Sequence, residues 1–175
     1  MWDNHDINVH KSQINKSTQI MINITKKYDS PGSWEIVIPF DKKGMECEWL
    51  GIVDGRAPGA YNLTVVAEHS APQTMGRVTV RAVCGAESVV QIKGVIRIGK
   101  EAQETNDFLE LRVLMLDTTS KATASPELEI LANNVRASHA ASVGRVDPGQ
   151  LLYLESRGLS KEAAVEQIVA GWLGV

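Results

Sequence analysis

Apolar and polar residues alternate along most of the chain between positions 18 and 130, which is the period-two pattern of β-strands. Ile20, Ile22 and Ile24 open the pattern, and further strand-like runs follow at 34–38, 47–53, 61–67, 77–83, 89–92, 94–98 and 108–116. Short segments rich in glycine, proline, aspartate and serine separate these runs, as expected of turns. No sustained 3.6-residue apolar period occurs in this part, so the pattern predicts a mostly β body without helices.

A weak repeat runs through this body. Apolar pairs recur about every 17 residues, at 78–80, 95–96, 113–114 and 128–130. A stacked β-solenoid explains such a spacing if each turn contributes one apolar strand to a continuous inner column. An antiparallel sandwich also gives short strands between turns, and the periodicity alone does not separate the two folds.

The pattern changes after residue 145 and becomes helical. Asp147 is a good N-cap, Pro148 suits the first helical position, and Gly158 can end the helix with a positive φ. Ser160 then caps a second helix, which has apolar residues at helical spacing. Two helices this short are not stable alone, so we expect them to dock on the β body or on a partner.

These patterns divide the chain into three parts. Residues 1–17 form a polar lead-in that we expect to be partly disordered, because they contain few apolar residues. Residues 18–145 form the β body, and residues 146–175 form a small helical subdomain. A chain of 175 residues is long enough for one domain with such an appendage.

Composition excludes several classes of function. The net charge is −3, and no basic stripe is present, so we do not expect nucleic-acid binding. No apolar run approaches the roughly 20 residues of a membrane helix, and the first residues do not resemble a signal peptide, so we expect no membrane association and a cytoplasmic location. None of the common phosphate-binding, nucleophile-elbow or zinc-protease motifs occurs, which argues against an enzyme.

Two segments near the C-terminus carry a family resemblance. Residues 138–147 read Ser-His-Ala-Ala-Ser-Val-Gly-Arg-Val-Asp, and residues 151–158 read Leu-Leu-Tyr-Leu-Glu-Ser-Arg-Gly. They resemble the signature of the SufB/SufD family, the scaffold subunits of SUF iron–sulfur cluster assembly. Segments 68–74 and 122–130 resemble earlier family motifs in the same order, so the likeness covers about residues 60–173.

The resemblance implies a fold and a role. The fold is a right-handed, single-stranded parallel β-helix with a small C-terminal α-helical subdomain. The role is that of a non-enzymatic scaffold, which docks a SufC-like ABC ATPase and pairs with a SufB/SufD-like subunit or with itself as a homodimer. Family members are typically more than twice as long, so we expect a truncated member. Ala140 and Ser142 replace the usual glycine and threonine of the motif.

His139 is the most interesting polar residue of these motifs. The resemblance to SufD implies that it ligates iron or a transient iron–sulfur cluster near a subunit interface. The alternative is a histidine hydrogen-bonded at the junction of β-helix and helices, which the lack of a visible second ligand favours.

Other residues complete the candidate sites. Glu129, with Glu127 two residues before it, is a candidate acidic companion of His139, and Cys84 is a candidate thiolate ligand. The alternatives are a solvated strand residue and a small buried core residue. Tyr153, Arg157 and Trp172 are candidates for partner binding, although Trp172 is also a candidate anchor for the second helix. Gly144, Asp147 and Gly158 are assigned structural roles.

Two other functions stay open at this point. The short chain, its altered His-Ala-Ala-Ser motif and its two cysteines are compatible with a stand-alone oligomeric β-solenoid interaction module without an assembly role. A β-helix enzyme acting on carbohydrate would need clustered acids on one face, but the acidic residues are spread along the chain.

Overall fold

The computed structural model describes residues 8–10 and 21–174. The strands in this part are β1 (Asn8–His10), β2 (Met21–Tyr28), β3 (Gly32–Phe40), β4 (Glu46–Gly55), β5 (Ala60–His69), β6 (Met75–Cys84), β7 (Val89–Ile98), β8 (Asn106–Met115), β9 (Lys121–Ile130) and β10 (Arg136–Arg145). The helices are α1 (Pro148–Ser156) and α2 (Lys161–Leu173). Of the predicted polar lead-in at 1–17, Asn8–His10 form β1, and the remainder lies outside the described residues.

The strands form two sheets between which the chain alternates. Sheet A has the order β1-β2-β4-β6-β8-β10, and sheet B has the order β3-β5-β7-β9. Every pair from β2 to β10 is parallel, and β1 lies antiparallel to β2. Because consecutive strands from β2 onwards belong to opposite sheets, the chain winds into a β-solenoid of about four turns. The predicted parallel β-helix with two C-terminal helices is therefore confirmed, and the antiparallel sandwich is excluded.

The coil is longer than the sequence repeat predicts. In sheet A, Cys47 pairs with Gly76, and Gly76 pairs with Asp107, so successive coils are offset by 29 and 31 residues. Each coil contributes two strands, one to each sheet. The spacing of about 17 residues is therefore the distance between successive strands on opposite sheets, and the prediction of one strand per turn was wrong.

Interior side chains stack in columns, because parallel partners in register point to the same side of a sheet. Trp49, Val78 and Leu109 form one such column, and each is at most 3% exposed. Gly94 belongs to this interior and explains why the sequence predicts two strands where β7 is one. A Cβ there would lie 2.8 Å from side-chain carbons of Leu109, so the gap in the apolar pattern makes room for that leucine.

The turns that enter sheet A are stacked as well. Gln73 and Glu104 both have a φ of 61° and occupy equivalent positions in successive coils. The Gln73 amide donates to the Gln103 carbonyl at 2.8 Å, and its side chain donates to Glu104 at 3.1 Å. The residues that follow them, Thr74 and Thr105, point inwards, and their hydroxyl oxygens lie 2.9 Å apart.

Both helices begin where the sequence predicts, and α1 ends just before the predicted glycine. The Asp147 carboxylate accepts a hydrogen bond from the Gly149 amide at 2.9 Å, and Pro148 opens α1. Gly158 follows with a φ of +95°, and Ser160 caps α2 by accepting from the Ala163 amide at 3.2 Å.

The helices lie on the outer face of sheet A. Val169 and Leu173 of α2 pack on a patch formed by Ile52, Val83 and Leu114 from three adjacent strands. The helix α1 buries none of its residues and packs on α2. Neither helix is long and apolar enough to cross a membrane, and this holds for the whole described part of the chain.

Candidate functional site

The end of the solenoid formed by β9 and β10 is open. These are the last strands of sheets B and A, so each pairs with another strand along one edge within the described residues. Unpaired strand edges favour association with another strand. The sequence of β10 has no clear alternation, because alanine, serine and glycine dominate it, and the pattern alone did not identify it as a strand.

Apolar side chains line this open end. Leu128 and Ile130 of β9 are in register with the buried Ile96 and Ile98, and Val143 of β10 is in register with the buried Val113. They therefore continue the interior columns but are 37%, 39% and 44% exposed. We call the inward-facing residues of the last coil the mouth; its main members are Ala122, Ala124, Leu128, Ile130, Ala137, His139, Ala141 and Val143.

His139 lies in the mouth. It is in register with Leu109, which is 1% exposed, so its side chain takes an inward position in the last coil while remaining exposed. Within residues 21–174, no hydrogen-bond or ion-pair partner is present for its ring. In this part of the chain, the structure therefore does not support the alternative in which His139 is hydrogen-bonded at the junction of the β-helix and the helices.

Glu127 and Glu129 do not face His139. They alternate along β9 with the inward-facing Leu128 and Ile130 and so point outwards. Glu127 pairs with Lys93 at 2.9 Å, and Glu129 accepts from Arg97 at 2.6 Å. The Arg97 hydrogen bond lowers the pKa of Glu129 below its usual value. The predicted acidic companion is thus a member of a surface ion-pair ladder.

Cys84 is also remote from His139. It is fully buried at the end of β6, where its Sγ lies 3.3 Å from the Ser88 hydroxyl and 3.2 Å from the Lys121 carbonyl oxygen. The register places it six positions along the strands from the column of His139, about 20 Å at roughly 3.3 Å per residue. Residues 21–174 contain no cluster of three or more potential metal ligands.

A buried polar network lies in the interior beside these columns. His69 Nε2 lies 2.8 Å from Asp107 Oδ2, and His69 Nδ1 lies 2.8 Å from the Thr74 hydroxyl. The Phe40 ring stacks on the imidazole at 4.1 Å. Asp107 was not identified from the sequence, and the signal that could have found it is an acidic residue on the inward side of a strand pattern.

Two threonine hydroxyls extend this network. The Thr105 hydroxyl donates to the Ala102 carbonyl at 2.9 Å and lies 2.9 Å from the Thr74 hydroxyl. The Thr74 hydroxyl in turn lies 3.4 Å from the Ala71 carbonyl oxygen. Asp107 Oδ1 is buried without a hydrogen-bond partner in the described part of the chain, so the carboxyl group depends on His69.

A second exposed surface lies on α1. Leu152 and Tyr153 are 67% and 58% exposed, and the Arg157 guanidinium lies 5.1 Å from the Tyr153 ring centroid. A shallow groove of about 440 Å³ runs beside Tyr153, between α1 and Ile168 of α2. The candidates Tyr153 and Arg157 therefore share one accessible surface.

The remaining candidates, Trp172 and the three residues that were assigned structural roles, lie outside the mouth and the exposed surface of α1, apart from Gly144 in β10 and Asp147 beside the groove. Trp172 anchors α2, because its Nε1 donates to the Ala82 carbonyl at 3.0 Å and its ring packs on the apolar patch of sheet A. Gly144 has no positive φ, and a Cβ there would meet open space. The structure therefore gives Gly144 no steric role, in contrast to Asp147 and Gly158.

Comparison with known proteins identifies relatives. The family model described as SUF system FeS cluster assembly, SufBD core domain, matches residues 6–172. The iron–sulfur cluster assembly protein SufD of Bacillus subtilis is 38% identical over 122 residues, which are 70% of this chain and 28% of that protein. SufB of the same organism is 33% identical over 105 residues, 60% of this chain and 23% of that protein. The match thus spans about a quarter of the curated relatives' length.

A third relative also carries the name of the iron–sulfur cluster assembly family. The iron–sulfur cluster assembly SufBD family protein of Staphylococcus saprophyticus is 32% identical over 105 residues, 60% of this chain and 23% of that protein. The similarity therefore extends to both named branches, SufB and SufD.

Proposed function

Because the chain belongs to the SufBD core domain family of SUF iron–sulfur cluster assembly, we propose that it is a non-enzymatic scaffold subunit of that process. The observation that carries this proposal is the open end of the solenoid. There, as far as residues 8–10 and 21–174 show, an apolar mouth, two strand edges without a partner strand and a His139 ring without a hydrogen-bond partner lie together. Such an end suits association with another subunit better than it suits exposure to water.

The pairing partner is a SufB/SufD-like subunit or a second copy of this chain. Backbone groups along the free edges of β9 and β10 offer hydrogen bonds to a strand of the partner. The exposed Leu128, Ile130 and Val143 supply apolar surface whose burial stabilises the pair. Leu131, 74% exposed in the turn that follows β9, extends the same surface.

An iron–sulfur cluster is the cargo of this scaffold. His139 is the one candidate ligand from the sequence that lies in the mouth, since Cys84 is buried elsewhere and Glu129 faces outwards. One imidazole does not hold a cluster alone, so the remaining protein ligands come from the paired subunit. A single ligand from this chain suits a transient cluster that must be passed on.

The helical subdomain is the docking surface for a SufC-like ABC ATPase. The exposed Leu152 and Tyr153 present apolar and aromatic area, and Arg157 adds a cation beside the ring. Exposed aromatic and arginine side chains of this kind are common centres of protein interfaces. ATP hydrolysis belongs to that partner.

The pairing is tested by the mass of the protein in solution. Ile130→Asp places a carboxylate in the mouth, whereas Val37→Asp changes a residue of similar exposure, 41%, on the first strand of sheet B. Light scattering should show that Ile130→Asp loses association with itself or with a SufB-like partner, and that Val37→Asp keeps it. Equal behaviour of the two variants, or a wild-type monomer that binds no SufB/SufD-like protein, would contradict the pairing.

The cluster and ATPase roles need separate measurements. In anaerobic reconstitution with iron and sulfide, His139→Ala should reduce cluster absorbance of the assembled pair, and Ser138→Ala, on the opposite face of β10, should not. In a pull-down with the cognate ATPase, Tyr153→Ala should weaken binding, while Gln167→Ala, at an exposed position of α2, should not. A wild-type protein that neither binds the ATPase nor carries or transfers a cluster would overturn the scaffold role.

The second candidate is a stand-alone oligomeric solenoid module. The absence of a three-ligand group within residues 21–174 favours it, because pairing through the mouth does not need a metal. This alternative predicts that His139→Ala changes no measurable property.

A further inference from the structure

We propose that α1 and α2 open from the solenoid as one unit and that a polar clasp, formed by Asp54, Arg56 and Glu166, holds this unit closed. The proposal concerns the attachment of the helices and does not depend on the scaffold role. It rests on how the hydrophobic cores, the helix contacts and the clasp are arranged.

The helices have a core of their own. The interior of the solenoid forms one buried cluster, which includes Trp49, Val78 and Leu109. The cluster under the helices is separate and lies on the other face of sheet A, where Val169 and Leu173 meet the patch of Ile52, Val83 and Leu114. Units with separate small cores open at a lower free-energy cost than the whole domain.

The attachment to the solenoid runs through α2. Three residues of α2 are buried, Ala164, Val169 and Leu173, whereas α1 has none. The link from β10 to α1 is short, and its Val146 amide donates to the Met115 carbonyl at a long 3.4 Å. The helices can therefore move together about residues 146–147 while the parallel ladder of the sheets stays intact.

The clasp joins the exposed side of α2 to the end of β4. Arg56 Nη1 donates to both carboxylate oxygens of Glu166, at 2.8 and 2.7 Å. Arg56 Nε and Nη2 donate to the two oxygens of Asp54, each at 2.8 Å. Asp54 thus holds the guanidinium in place, so closing the clasp costs little side-chain entropy.

Solvent exposure makes the clasp adjustable. The side chains of Arg56 and Glu166 are 37% and 63% exposed, whereas that of Asp54 is 11% exposed. Hydrogen bonding from Arg56 keeps the pKa of Asp54 below its usual value, so this member stays charged at neutral pH. Salt screens the exposed ion pair between Arg56 and Glu166, and opening of the helices should therefore increase with ionic strength.

Opening changes which surfaces partners meet. It uncovers the apolar patch of sheet A and the underside of α2, and it separates the Trp172 indole from the Ala82 carbonyl. If a partner binds the opened helices, part of its binding free energy must offset the cost of breaking the clasp.

Hydrogen–deuterium exchange of the whole chain, read by mass spectrometry, tests the proposal. In the wild type, amides of residues 161–173 should exchange faster than those of β6 and β8. Glu166→Gln should raise the helix rates about two- to five-fold, the range for an exposed ion pair, and leave β6 and β8 unchanged. High salt should raise the wild-type helix rates towards those of Glu166→Gln and leave the variant nearly unaffected.

A matched control separates the clasp from general surface charge. Glu127→Gln breaks the exposed pair with Lys93 on sheet B, which is 46–48% exposed, and should leave the helix rates unchanged. The proposal is overturned if the helices and β6 exchange at one common rate, if Glu166→Gln has no effect, or if Glu127→Gln accelerates the helices equally. None of these measurements involves a cluster or an ATPase, so their failure leaves the scaffold proposal standing.

Discussion

His69 Nε2 and Asp107 Oδ2 lie 2.8 Å apart inside the solenoid, although 38 residues separate them in sequence. Both side chains are at most 1% exposed, and the register places Asp107 beside Gly76 one coil earlier. The pair therefore ties two coils together in the interior, at a position where a single unpaired polar group would be costly.

Removing one member of this pair should cost far more than replacing the Asp107 carboxyl group by an amide of the same shape. Asp107→Ala leaves His69 Nε2 buried without a partner, and we expect a loss of about 3–5 kcal/mol in the free energy of unfolding. Asp107→Asn keeps a hydrogen-bonding group for Nε2 and should lose about 1 kcal/mol. Urea unfolding followed by circular dichroism measures both, and equal losses would show that the pair contributes no specific bond.

Gly76 should be required for the Asp107 carboxyl to fit. A Cβ at Gly76 would lie 2.6 Å from Asp107 Cγ, so Gly76→Ala forces the coils to shift and should cost about 1–3 kcal/mol. Gly144→Ala is the matched control in β10, because its Cβ meets open space, and it should raise stability by up to about 1 kcal/mol. Thermal unfolding compares them, and a neutral Gly76→Ala would contradict the packing.

Asp117 should make stability depend on acid pH. Its carboxylate accepts from the Ala86 amide at 2.7 Å and from the Thr119 and Ser120 amides at 2.9 and 2.8 Å. Hydrogen bonding, first of all from the Ser120 hydroxyl, lowers the pKa of Asp117 well below its usual value. The folded state therefore gains stability above the unfolded pKa of about 3.9 and loses it as the pH falls below that value.

The measurement is a comparison of Asp117→Asn with wild type across pH. At pH 7 the variant should be less stable by about 1–2 kcal/mol, because hydrogen bonds to a charged acceptor are lost. The difference should shrink as the pH falls below about 4, where the carboxylate protonates in the unfolded wild-type chain but stays charged in the folded one. A pH-independent difference for Asp117→Asn would refute the assignment.

Both cysteines should resist alkylation in the folded protein. Cys84 is fully buried, and burial, followed by the charges of Asp107 and Glu48, raises the pKa of Cys47 to about 11. At pH 8 we expect iodoacetamide to modify them at least about 100-fold more slowly than in urea. A Ser138→Cys variant supplies an exposed reference thiol. Labelling of Cys84 at the reference rate would show that the coil interior opens readily.

Local signals in the sequence were sufficient to predict the two helices. Asp147, Pro148, Gly158 and Ser160 act within a few residues of their own position, through a cap, a fixed φ and a positive φ. The alternation of apolar residues likewise indicates strands in the body of the chain from β2 to β8. Both signals are local, since each is carried by residues close together in the chain.

The coil length was not readable from the same pattern. Strands of sheets A and B have similar apolar patterns, so the strongest repeat in the sequence is the half coil and not the full coil of about 30 residues. β10 shows the reverse problem, since its inward positions hold Ala137, His139 and Ala141 and leave little apolar signal. Its pairing with β8, not its own composition, makes it a strand.

The strand-rich body, the two capped helices and the family resemblance can be read from the chain alone, because alternation, caps and ordered motifs are local properties. Only the folded molecule shows that His139 lies in an open mouth, that Glu129 points away from it and that Asp107 meets His69. Each of these depends on which residues about 30 positions apart come into register. That choice is made by parallel pairing and interior packing over the whole solenoid, where a shift of one residue turns every side chain to the other face.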